Sequence, residues 1–408
     1  MKLLLADFIL TCNTEFEVIH KGAIAFDEHI IDIGSARRLT LQYPDATHLI
    51  APPNSVVLPG LINAHVHLEF SANESLLHYG EFIPWLKSVI KHREMLSEMA
   101  TTQRIAEVLA HMLRSGTTSL GAISSFGADL EACAQTSQRV VYFNEVLGST
   151  ANTADIMYAD FISRYHASMD EKSATFFPAV AIHSPYSTHP ILAKKAIELS
   201  YKDGTCLSTH FMESQAERTW LDKGEGEFAS FLTTFNPHAK PLCSSKEYLE
   251  LFKHVPTLFT HCVHATAEEL SLIADMKGSI THCPVSNRLL GVGALDINEV
   301  QEKEINLTLA TDGLSSNFSL SLWDEMRSCL MMHPSMALNS LAETLLKGVT
   351  CNAAHALRLN CGVIEKEKYA DLIVATLPQE LGEEEDLVLQ LILHTKQPHW
   401  TIMNGEIQ

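Results

Sequence analysis

The chain has 408 residues, 46% of them hydrophobic and 19% charged, which excludes a disordered segment and supplies enough apolar surface for a large core. Its 49 acidic residues against 29 basic ones give a net charge of −20, which argues against nonspecific binding to nucleic acid or to an anionic membrane. The nine cysteines are odd in number and include no C-x-x-C pair, as expected for reduced thiols in the cytoplasm rather than a disulfide framework or a zinc knuckle.

The first stretch, MKLLLADFILTCNTEFEVI, is apolar but interrupted by Asp7 and followed by no small-residue cleavage site, so it predicts a strand and not a signal peptide. No run of 18 apolar residues occurs, so no membrane span is predicted. KLLLADFILT, GAIAFDEHIIDIGS and THLIAPPNSVVL, cut by Gly, Pro, Asn and Asp, make residues 1–57 β-rich. From residue 58 the texture changes to β-like runs separated by longer helical patterns. The runs are LPGLINAHVH, TTSLGAIS, RVVYFNEVLG, TFFPAVAIHSP, GTCLSTHF, PTLFTHCV, GSITHCP and INLTLATDG. Alternation of this kind predicts βα units around a parallel sheet, here an α/β fold with a (β/α)8 TIM barrel over residues 58–355. FIPWLKSVIKHREMLSEMATTQRIAEVLAHMLRSG reads as one helical segment. HPILAKKAIELSYKDG reads as another, stopped by Gly204, and Thr266 with Glu269 forms a capping box. Past residue 355, GVIEKEKYADLIVATLP reads as a hairpin and PHWTIMNGEIQ as a final strand. Residues 1–57 and 356–408 are therefore expected to pair into a composite β-sandwich domain beside the catalytic barrel. The acidic ELGEEED, 380–386, reads as a solvated loop.

The first barrel run carries His65 and His67. Residues two apart on a strand share a face, so both imidazoles point the same way. An isolated His-x-His is also compatible with two polar residues at a strand end. The other runs decide the matter, because a TIM barrel places its chemistry at the C-terminal strand ends. His183, His210, His261, His282 and Asp312 each end a run. His65, His67, His210 and Asp312 make a three-nitrogen, one-oxygen set that suits one divalent ion, Zn²⁺ first, with Fe²⁺ or Mn²⁺ as alternatives. Glu213 would face away from His210 within a strand. If the strand ends near Phe211, a turn brings it over the ion as a proton carrier. His261 is nearer its strand end than His264. His282 and Asn287, in THCPVSNRLLG, are expected to line the pocket. Trp85 is expected to cover the substrate, with Lys87, Lys91 or Arg93 meeting a substrate carboxylate; the plainer reading of these cations is a solvated helix face. Glu81 is a candidate acceptor for a ribose hydroxyl.

PGLINAHVH, HFME at 210–213, HCVH at 261–264, HCPVSN at 282–287 and LATDGLSSNFSLSLWDEMR at 309–327 together resemble the amidohydrolase superfamily, over nearly the whole chain. The resemblance is to the mononuclear subgroup of deaminases and triazine chlorohydrolases. Binuclear relatives use a carboxylated lysine at the end of strand four, and FFPAVAIHSP has none. HVHLEFSANESLLHYGEFIPWLKSVIKHRE looks like the corresponding segment of the aminofutalosine deaminases. This resemblance implies hydrolysis of 6-amino-6-deoxyfutalosine to futalosine and ammonia, on the futalosine route to menaquinone. It implies His65, His67, His210 and Asp312 as metal ligands. Glu213 would protonate the purine N1, Asp312 would take the water's proton, and His261 would donate a hydrogen bond to the developing oxyanion. His183 would contact the purine or ribose. Homodimers are frequent among such barrels. Three alternatives stand beside this reading: deamination of adenosine, 5′-methylthioadenosine or S-adenosylhomocysteine; dechlorination or ring opening; and a metal-stabilised protein with a vestigial site.

Overall fold

Strands β1 (Lys2–Leu10), β2 (Val18–Phe26), β3 (Ile30–Ser35), β4 (Thr47–Ile50) and β5 (Ser55–Pro59) take up the apolar runs of the N-terminal segment. In the computed structural model, which describes residues 1–408, β1 pairs antiparallel with β2 along one edge. Along its other edge it pairs in parallel with β4, from Lys2 to Leu5, and then with β5, at Phe8 and Ile9. The C-terminal segment adds β14 (Leu372–Thr376), β15 (Trp400–Met403) and β16 (Glu406–Ile407), joined through the antiparallel β5–β14 ladder. The resulting eight-stranded sheet curls until its ends meet. Ile30 N–H donates to Lys368 O, and a Cβ on Gly405 would sit 1.9 Å from the Asp27 carbonyl oxygen. Leu4, Ile24, Phe26, Val57, Leu372 and Ile402 fill the space inside.

Two local expectations change here. The hairpin lies in WTIMNGEI rather than in GVIEKEKYADLIV. Asn404 and Gly405, with φ of 49° and 77°, form its turn, as an Asn-Gly pair between two short strands favours. Residues 364–370 stay irregular because their N–H groups are used elsewhere: Ile364 donates to Thr11 O, Glu367 to Ile30 O and Ala370 to Glu28 O. The long helical pattern before β7 is also two helices, Phe82–Met99 and Thr102–Arg114, because Thr101 caps the second by accepting from Arg104 N–H.

The barrel consists of β6 (Leu61–Val66), β7 (Thr117–Ser124), β8 (Arg139–Val146), β9 (Phe176–Ile182), β10 (Leu207–Phe211), β11 (Leu258–His261), β12 (Ser279–His282) and β13 (Asn306–Leu309). These eight strands pair in consecutive order, all parallel. Ile62, Ala64, Val141, Phe143, Ala179, Ala181 and Leu258 belong to one buried cluster, alternate positions on four of the strands. Between β13 and β6 the seam is held by Asp312 N–H to His65 O and by the Asn63 side chain, which accepts from Thr311 N–H and donates to Thr311 Oγ1. Gly313 permits the close approach, since a Cβ there would lie 2.9 Å from His67 Cβ. The seam thus fixes two site strands against each other.

A buried ion pair joins barrel and terminal sheet. Arg139, the first residue of β8, places Nε 2.6 Å from Asp371 Oδ2, and its guanidinium lies over the Tyr369 ring. Both side chains are 1% exposed, so removing one partner strands a buried charge. Asp371→Ala is expected to lower unfolding free energy by about 3–5 kcal/mol, read from denaturant midpoints. A loss below about 1 kcal/mol, the range of a solvent-screened pair, would contradict this role.

Candidate active site

The strands that carry the chemistry end sharply. Met212, His261, Cys262 and Asp312 have φ of 50°, 72°, 53° and 57°, a left-handed conformation that residues with a Cβ adopt at a cost. All four lie at or just past the ends of β10, β11 and β13. This backbone turns the side chains over the barrel mouth.

Nε2 of His67 lies 3.1 Å from His65 Nε2 and 3.3 Å from His210 Nε2. Asp312 Oδ1 stands 3.6 Å from His67 Nε2 and 3.9 Å from His65 Nε2. Donor atoms around a tetrahedral ion with bonds of 2.0–2.1 Å are about 3.3–3.4 Å apart, so the spacing fits a first-row divalent metal. The tautomers fit as well. His210 Nδ1 donates to the His183 carbonyl oxygen at 2.8 Å, which leaves a lone pair on Nε2 of the neutral ring. His65 Nδ1 is engaged by Thr260 Oγ1 at 3.2 Å. Burial holds His65 well below its ordinary pKa and pulls His210 down to about 3, so both rings are neutral at pH 7. Uncharged nitrogens gathered this closely can present their lone pairs to a single cation.

Asp312 is fixed from behind. Ser286 Oγ and Ser316 Oγ donate to its Oδ2 at 2.7 and 2.9 Å, and Gly313 N–H donates to Oδ1. Burial pushes this carboxyl up, but His67, His261, His210 and the Ser286 bond outweigh it, and the group stays below the ordinary range. Ser286→Ala is expected to weaken metal affinity about 10–100-fold, measured by competition with a chelator. Unchanged affinity would remove Ser286 from the site.

β10 ends at Phe211, and the turn at Met212 swings Glu213 back over the mouth. Its Oε1 lies 3.6 Å from His261 Nε2, and Glu213, His261 and Asp312 bring ligand atoms within 4.8 Å of one another. Glu217 holds this turn, accepting from Met212 N–H at 3.1 Å and Glu213 N–H at 2.8 Å. Burial, then Asp312 and Glu217, push the Glu213 carboxyl well above its ordinary pKa, which favours its acid form. His261 Nδ1 donates to Asn287 Oδ1 at 2.9 Å, and Asn287 Nδ2 donates to His282 Nδ1 at 3.3 Å. With the Asn287 amide in this orientation, neutral His261 presents Nε2 as an acceptor; the opposite orientation would present it as the donor that the resemblance implies. His282 and Asn287 are both fully buried behind His261, and their contacts do not support the expectation that they line the pocket.

His183 immediately follows β9, with Nδ1 2.6 Å from Ser187 Oγ and its ring 5.1 Å from the His210 ring. From it runs an aromatic wall: Tyr186 to Phe228 at 4.6 Å, Phe228 to Phe82 at 5.9 Å, Phe82 to Trp85 at 5.4 Å. Trp85 Nε1 donates to Ser315 O at 2.8 Å, pinning the wall to the loop after Asp312. Glu81 is exposed at the start of that helix, and Lys87, Lys91 and Arg93 lie along it. A cleft of about 950 Å³ lined by Arg104, His111 and Phe318 lies elsewhere, and none of the clustered residues borders it. Glu145, at the end of β8, was findable by the strand-end rule: its Oε1 lies 3.9 Å from His210 Nδ1. Glu217 and Ser286 sit on helices, where nothing in their spacing marks them.

A histidine–carboxylate cluster at the C-terminal mouth of a (β/α)8 barrel defines the class of metal-dependent barrel hydrolases. Residues 56–407 match the amidohydrolase family, and the chain belongs to it. It is 47% identical to the aminodeoxyfutalosine deaminase of a Nitratiruptor species, over 98% of this chain and 97% of that one. It is 37% identical to an adenosine deaminase of Helicobacter pylori, over 98% of each. The crystal structure of Helicobacter pylori aminofutalosine deaminase in complex with methylthio-coformycin superposes with a TM-score of 0.95 at 35% identity, covering 100% of both chains. An adenosine deaminase from Xanthomonas campestris with bound zinc shares the fold, with a TM-score of 0.82 at 22% identity, covering 99% of this chain and 92% of that one.

Proposed function

We propose that the chain is a metal-dependent aminohydrolase that converts 6-amino-6-deoxyfutalosine to futalosine and ammonia, in menaquinone synthesis. The observation that carries the reading is Glu213 turned over the mouth beside His261 and the His65/His67/His210/Asp312 cluster, supported by the deaminase names of the relatives. His65, His67, His210 and Asp312 would hold one divalent ion, for which we favour Zn²⁺. When bound, such an ion acts as a Lewis acid that lowers the pKa of water to about 7.

The chain's own residues do the rest. The aromatic wall from His183 to Trp85 receives the purine face and excludes water on that side. Glu213 delivers its proton to ring N1, which makes C6 electrophilic. His261 Nε2 accepts a hydrogen bond from the attacking water and orients it. The Asp312 carboxylate takes a proton as the water attacks C6. When the tetrahedral carbon collapses, the new hydroxyl returns its proton to Glu213, Asp312 passes its own to the amino group, and ammonia leaves. One water is consumed and N1 keeps its proton.

We assign this chemistry to residues 58–355. Residues 1–57 and 356–408 form a supporting unit, in which β5 runs on to Pro59. No helix is long and apolar enough to cross a membrane, and the nine cysteines are unpaired; we place the enzyme in the cytoplasm. Turnover in heavy-oxygen water tests the hydrolysis: one labelled oxygen should appear at C6, and an unlabelled product would overturn it. Deamination of adenosine or 5′-methylthioadenosine is the second reading. The adenosine deaminase relative and the methylthio-coformycin bound by the structural neighbour favour it.

A further inference from the structure

Behind the catalytic cluster, β12 ends in His282, whose ring is fully buried. Its Nδ1 faces Asn287, and its Nε2 has no hydrogen-bond partner. The helix Leu322–Met332, packed on the helix Pro284–Leu289, presents Cys329 on the same side. One turn later, just past the helix end, comes His333, whose Nε2 is also buried and unpartnered. A ring nitrogen of each histidine and the Cys329 sulfur lie within 4.8 Å of one another. Two buried imidazole nitrogens without partners, converging on a free thiol, are an unsatisfied arrangement that packing alone does not explain.

We propose that His282, Cys329 and His333 form a second divalent-metal site of zinc type, separate from the His65/His67/His210/Asp312 set. Two nitrogens and one sulfur are a donor set that zinc prefers. An occupied tetrahedral site would bring the donors to about 3.3–3.6 Å of one another. Binding displaces the thiol proton to solvent and leaves a thiolate. For Nε2 of His282 to ligate, its proton must sit on Nδ1. Asn287 accepts that proton's hydrogen bond once its amide turns over, and Nδ2 then donates to His261 Nδ1. The same turn moves the proton of neutral His261 to Nε2, facing Glu213, so occupancy of the second site would set the polarity of His261. The site itself does not depend on the deaminase reading.

Cobalt separates the two sites, because only the second contains a thiolate. The full chain is stripped with a chelator and titrated with Co²⁺, with metal analysis and absorption read together. The expected result is two ions per chain, one of them accompanied by a sulfur-to-cobalt charge-transfer band in the near ultraviolet. Cys329→Ser should abolish that band and leave one ion. His333→Gln, at a half-buried position, should weaken the second ion at least tenfold. One ion per chain without the band, a band that persists in Cys329→Ser, or unchanged affinity in His333→Gln would each overturn the proposal.

Discussion

Glu213→Gln is expected to keep its metal and to lose about 10²–10⁴-fold in kcat. Glutamine fills the same space and can still hydrogen-bond, but it has no proton to give to ring N1. The deficit should fall on kcat more than on KM, because the proton transfer belongs to the transition state. In the proposed mechanism the acid form of Glu213 is the donor, and burial, Asp312 and Glu217 raise its pKa above the ordinary value. Wild-type activity should therefore fall as pH rises through that raised pKa, and the Gln variant should lack this limb. Full activity in Glu213→Gln, with the catalytic metal bound, would remove the residue from the mechanism.

Removal of the catalytic metal is expected to abolish turnover, by at least about 10⁴-fold, given the gap between the pKa of free water and that of water on such an ion. The fold should survive. The barrel interior is closed by Ile62, Ala64, Val141, Phe143 and their neighbours, and its seam by Asn63 and Thr311, none of which needs the ion. The far-ultraviolet circular dichroism of the stripped protein should match that of the native one, and added Zn²⁺ should restore activity. Native-rate turnover by a rigorously metal-free sample would contradict the account, as would unfolding on metal loss.

The barrel was legible because eight short β-like runs alternate with longer helical patterns, and most of the runs close on a titratable residue. The histidines and Asp312 stood out for the same reason: a titratable group closing an apolar strand is conspicuous. The groups that hold them were not. Glu217 and Ser286 lie on short helices, where a polar residue looks like any solvated face, yet both are buried. Whether Glu213 could reach the site turned on one backbone angle at Met212, which no spacing encodes. The break at Ala100–Thr101 was hidden because helical periodicity runs on through both helices. The helix Leu387–His394 was lost because LVLQLILH is apolar on nearly every side and shows no period.

The most direct measurement is ammonia release from 6-amino-6-deoxyfutalosine, run beside adenosine, 5′-methylthioadenosine, S-adenosylhomocysteine and guanine on protein of known metal content. The account predicts one catalytic ion per chain and a kcat/KM for 6-amino-6-deoxyfutalosine well above the rest, with Trp85→Ala losing much of that preference. Equal or better turnover of 5′-methylthioadenosine or S-adenosylhomocysteine would keep the mechanism and contradict the substrate. No ammonia from any of them, with the metal bound, would contradict deamination of purine nucleosides.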